Sequence, residues 1–158
     1  MLHTILKQNH IMLHTIPKQK EPIIYNSFEY LHKKTQKWLL EIDFIKTELF
    51  FLKELIDEHV IEICNSKNFN DAKMYLNGVA HEISLNEKLT KSIKAHSINL
   101  SLLTEGIYLT KQKEIRKNHT LLKIEVENYK DNLKYMKQQI FELILKVMKM
   151  NKSKKLLR

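Results

Sequence analysis

Across residues 28–63 one stripe, apolar except at Thr35 and His59, recurs every three or four positions without a slip: Phe28, Leu31, Thr35, Trp38, Ile42, Ile45, Leu49, Leu52, Ile56, His59 and Ile63. Alternating steps of three and four keep side chains on one face of an α-helix, so this spacing predicts one long amphipathic helix. Asn26, with Glu29 three residues on, has the form of a capping pair for its start. The run Asn65-Ser66-Lys67-Asn68 is loop chemistry and places its end near Cys64. The last segment repeats the pattern at Ile115, His119, Leu122, Val126, Tyr129, Leu133, Met136, Ile140, Leu143, Val147 and Met150, then runs into a basic tail at 152–158.

The segment between them is less regular. Leu76, Val79, Ile83, Asn86, Thr90, Ile93, Ser97, Leu100, Thr104 and Ile107 follow the helical period, yet several are polar. A second stripe through Leu85, Leu89, Ile93, His96, Leu100, Leu103 and Ile107 follows it equally well, so this helix is expected to bury a broad surface and to touch more than two neighbours. Asn68 or Asn70 can cap its start, Gly106 suits its C-terminus, and Thr110 can cap the helix that follows. Helices over 26–64, 70–106 and 111–151 have matched lengths. They predict an all-α, elongated, antiparallel up-down-up three-helix bundle with coiled-coil-like packing. Its expected core is Phe28, Leu31, Trp38, Ile42, Ile45, Leu49, Leu52, Ile56, Leu122, Val126, Tyr129, Leu133, Met136, Ile140, Leu143 and Val147.

Apolar residues remain that this core does not use. Phe44, Phe50 and Phe51 fall off the seam of the first helix, and residues 140–148 are apolar almost all round. Large aromatics are costly to leave in water, and contiguous apolar patches mark interaction sites. Phe44, Phe50, Phe51, Phe141, Ile144, Leu145 and Met148 are therefore the candidate interface, unless a fourth element such as residues 1–25 covers them.

Those first residues repeat themselves. Residues 1–8 read MLHTILKQ and residues 12–19 read MLHTIPKQ. Pro17 and Pro22 separate the repeat from the helices, so residues 1–25 are expected to be a flexible segment carrying a short duplication, with a small amphipathic docking helix (Leu2, Ile5, Leu6, Leu13, Ile16) as the alternative.

Composition fits long helices. The 158 residues contain two Gly and two Pro, and no Pro follows Pro22. The net charge of +9 raises nucleic acid or an anionic membrane surface as partners. However, Arg116 and Arg158 are the only arginines among 27 basic residues, and base readout and bidentate phosphate clamps favour Arg. An A/T-rich coding sequence also enriches Lys, Ile and Asn without any partner. Cys64 is the single cysteine, which excludes an intrachain disulfide or a multi-cysteine zinc site. No run is apolar and long enough to span a bilayer, and the cytoplasm is the expected location.

His59 and His119 lie on core stripes, but an up-down-up bundle places them toward opposite ends, and His32 is the better neighbour for His119. The Glu-x-x-His pairs of di-iron bundles are absent from the sequence. Glu41 and Glu48 flank the first core stripe, and His96 is expected near Trp38 and Glu41, as an interhelical contact that sets register. No nucleophile–base set or phosphate loop appears, and no cofactor is expected. The expected function is a non-enzymatic helical interaction protein that self-associates or docks a partner helix. The alternatives are a basic accessory protein on nucleic acid or anionic membrane, and a metal-binding bundle.

Overall fold

A computed structural model describes residues 27–157; the duplicated segment and Asn26 lie outside them. The described chain is all α: α1 (Phe28–Glu58), a short α2 (Val60–Cys64), α3 (Phe69–Thr104), a single 3₁₀ turn (Leu109–Lys111) and α4 (Gln112–Leu156). The start of α1 is capped by Ser27, whose hydroxyl accepts from the Tyr30 amide at 3.1 Å. The expected first helix over 26–64 is interrupted at His59, whose amide turns back to the carbonyls of Ile56 and Asp57. Neither Gly nor Pro marks that break. Ser66 then closes the turn, donating to the Ile63 carbonyl at 2.7 Å and accepting from the Asn68 amide at 3.1 Å.

Gly106 ends α3 as expected. Its φ of 81° lets the Gly106 amide reach the Leu103 carbonyl and the Ile107 amide reach the Leu102 carbonyl, a Schellman closure. Thr110 does not cap α4; it sits inside the 3₁₀ turn, and Lys111 precedes the helix without a side-chain cap. The expected basic tail at 152–158 is mostly helix, because α4 continues to Leu156. Lys154 and Lys155 in its last turn suit the negative end of the helix dipole.

Side-chain pairs give the directions of the helices. Lys130 meets Glu41 and Lys137 meets Glu48, each pair 89 residues apart, so α1 and α4 run parallel. Gln36 meets Ser97 while Asn86 meets Ile42, a closing separation that makes α1 and α3 antiparallel. His96 with His119 and Asn86 with Tyr129 do the same for α3 and α4. The result is an up-down-up bundle whose closest pairing is α1 on α3.

Most of the expected core is buried, with Ile42, Leu49, Leu52, Ile56 and Ile140 fully so. Phe28, Leu31 and Met136 are only half-buried. Phe28 and Leu31 pack against a separate small cluster of Leu100, Leu103 and Ile115, and Met136 packs against the main one. Both stripes of α3 contribute, through Val79 and Asn86 on one and Leu89, His96 and Leu103 on the other. They serve the two long neighbours α1 and α4 and the short α2, while Thr104 and Ile107 are exposed. Gly78 gives α4 close access: a Cβ there would lie 3.4 Å from the Met136 sulfur.

Candidate functional site

The bundle carries two kinds of unusual surface: polar layers inside it and an apolar face outside it. The first polar layer lies at mid-length. The Asn86 amide donates to the Ile42 carbonyl of α1 at 2.8 Å and to the Tyr129 hydroxyl of α4 at 3.2 Å. The Tyr129 hydroxyl in turn donates a hydrogen bond to the Glu82 carbonyl of α3 at 3.3 Å. Burial pushes the Tyr129 hydroxyl up to about 12, so it remains a donor at ordinary pH. One buried Asn thus ties all three helices at one level, and a one-turn slip of any helix would leave it unsatisfied.

The second layer lies toward the start of α1. Nε2 of His96 and Nδ1 of His119 are 3.0 Å apart, both rings are buried, and His119 stacks on Trp38 with centroids 4.7 Å apart. Two imidazole nitrogens at that distance share one proton between them, one donating and one accepting. Burial holds His96 below the usual imidazole range. Burial, then the neighbouring His96, Lys123 and Arg116, pull His119 down to about 4. His32 is instead a neighbour of Ser97, at 3.2 Å, and Gln36 donates to the same hydroxyl at 2.7 Å. The expected approach of His96 to Glu41 is not seen; Glu41 is bound by Lys130 at 3.0 Å, and Glu48 by Lys137 at 2.9 Å. His59 lies beside Glu62 at the other end. Among the described residues no three of His, Cys, Asp and Glu gather as a metal site requires.

Outside the bundle, Phe44 is 65% exposed, Phe51 55% and Phe50 46%. Phe141, Leu145 and Met148 on α4 are also exposed. Ile144 is not. It is buried with Ile140, Leu143 and Val147, because the end of α4 meets α1, α2 and α3 together and so needs a wider apolar face. Ile144 therefore belongs to the core and leaves the candidate interface.

Leu40, 74% exposed, adds to the candidate face. Its signal in the sequence is a second three-four alternation on α1: Lys37, Leu40, Phe44, Thr47, Phe51, Glu54, Glu58. Every one of these residues is exposed. At 100° per residue the stripe lies on the side of α1 opposite the Ile42–Leu49–Ile56 seam. Phe50 falls to one side of it, toward α3. The parallel register set by Lys130–Glu41 and Lys137–Glu48 places Phe141 and Leu145 level with the second half of α1 and Met148 level with His59, just past its end. A groove at that end is lined by Leu145, Met148, Lys149, Lys152 and Lys155 of α4 together with His59 and Glu62.

No family model matches the chain, and no characterised protein or solved structure is detectably similar to it. Among the described residues no helix is long and apolar enough to cross a membrane.

Proposed function

We propose that this chain is a non-enzymatic helical interaction protein that presents the outer face of α1 to another helix. The observation that carries this reading is the second heptad stripe, with Leu40, Phe44 and Phe51 facing water although α1 already has a complete inner seam. An α-helix needs one apolar stripe to join a bundle; a second at the same spacing is what a further helix would pack against. Scattered exposed apolar residues are ordinary, but Leu40, Phe44 and Phe51 share one face at helical spacing over about three turns.

The test is comparative capture from the cells that make the protein, using the wild type and a Phe44→Glu/Phe51→Glu variant. The outer-face reading expects a partner, a second copy included, to be recovered with the wild type and lost with the variant while helicity is unchanged. Equal recovery by both proteins would move the interaction elsewhere.

A second reading has one specific support. Lys149, Lys152 and Lys155 share a groove with exposed Leu145 and Met148, the combination by which basic helices lie on anionic lipid or follow phosphate. Salt separates the two, because charge-driven binding falls steeply with ionic strength and apolar docking does not.

A further inference from the structure

The geometry points to a second copy of this chain as the occupant of α1's outer face, packed antiparallel with its two-fold axis between Thr47 and Glu48. This rests on reading that face as a docking surface and adds its partner and orientation.

Charge and spacing along α1 select this arrangement. Along the outer stripe the order is Lys37, Leu40, Phe44, Thr47, Phe51, then Glu54 and Glu58. The stripe is basic at one end, aromatic in the middle and acidic at the other. Two copies laid parallel would set Lys37 on Lys37, Glu54 on Glu54 and Glu58 on Glu58. Two copies laid antiparallel about the midpoint bring Phe44 of each chain against Phe51 of the other and Lys37 against Glu58, with Leu40 facing Leu55 and Glu54 facing Glu41, whose charge Lys130 already meets. Leu55 is half-buried and keeps an outward edge for that contact. Among the described residues Glu41 and Glu48 are engaged by α4, whereas Lys37 reaches Glu41 alone, at 3.9 Å and largely exposed. A two-fold arrangement repeats each contact twice, so a modest charge pair counts double. The lysines at 33 and 34 extend the basic end past Lys37, toward the partner's Glu62.

Lys37 and Glu58 lie 21 residues apart on one helix, about 32 Å at 1.5 Å per residue. They cannot pair within a chain, so any energetic coupling between them reports contact between chains.

The experiment is analytical ultracentrifugation of the purified full chain at two concentrations about a hundredfold apart. Four proteins are compared: wild type, Lys37→Glu, Glu58→Lys and the double reversal. The wild type is expected to approach twice 19.0 kDa at the higher concentration. Each single reversal replaces two attractions with two repulsions and is expected to weaken the dimer about tenfold. The double reversal is expected to restore wild-type association. A wild type that stays monomeric overturns self-pairing, and leaves the docking reading to be decided by capture with the Phe44→Glu/Phe51→Glu variant. A dimer whose strength ignores all three reversals overturns the antiparallel register.

Discussion

Trp38→Ala is expected to unfold the chain or leave it barely stable at every concentration. Trp38 is buried on the inner seam of α1 and stacks on His119, which in turn bonds His96. Removing the indole therefore deletes a large buried surface and takes the support from a buried His pair on two other helices. Large aromatic-to-alanine changes in cores cost roughly 3–5 kcal/mol. The added loss of the stacking partner places this site in the upper part of that range. Urea denaturation followed by circular dichroism reads the effect. A midpoint close to wild type would mean that the indole is not part of the packing between α1 and α4.

Acidification from pH 6.5 toward 4 is expected to remove a comparable share of stability. In the folded chain burial holds both His96 and His119 below the usual value of 6.5, and His119 reaches about 4. The unfolded chain then binds protons more tightly than the folded one. Stability from this pair is fully present above about pH 6.5 and is lost as the pH falls through the folded values. A second proton on rings 3.0 Å apart would also force two donors together, with Lys123 and Arg116 adding repulsion. Glu82 acts with the opposite sign, since burial raises its carboxyl and protonation relieves it.

A His96→Leu/His119→Phe variant isolates the effect. Removing both partners leaves no orphaned polar atom, and a phenyl ring can keep the stack on Trp38. Stability of the wild type should fall by a few kcal/mol over this window, and the variant should lose clearly less. Parallel pH profiles would show that the buried histidine pair does not govern the acid response.

The long helices were legible because each repeats one residue class at one period, and period survives without knowledge of neighbours. Gly106 was legible for a local reason, since a left-handed φ selects Gly. What depended on relative rotation between helices was not. The pairing of His96 with His119, rather than His32 with His119, follows from how α3 turns toward α4, which neither helix's own spacing contains. Asn86 reads from sequence as one of several polar positions in the stripe that could set helix alignment; the positions of Ile42 and Tyr129 single it out as the three-helix tie. Ile144 sits in a stretch that is apolar almost all round, where periodicity does not separate inward from outward positions; the short α2 joining the packing puts it inside. The break at His59 has no Gly or Pro to announce it, and the helical continuation past Asn151 was hidden by lysines that suit a helix end as well as a tail. The outer stripe was half visible: Phe44 and Phe51 stood out by size, whereas Leu40 and the flanking charges gain meaning only as members of the same alternation.

The claim on which the rest depends is that α1 has two separate seams, one for its own chain and one for a partner. Urea denaturation of the Phe44→Glu/Phe51→Glu variant and the wild type, both dilute enough to be monomeric, tests it most directly. Two seams predict equal stabilities within about 0.5 kcal/mol, as for other surface substitutions. A loss of several kcal/mol by the dilute variant would show that Phe44 and Phe51 are held by the chain itself, and the outer face would not be a docking surface.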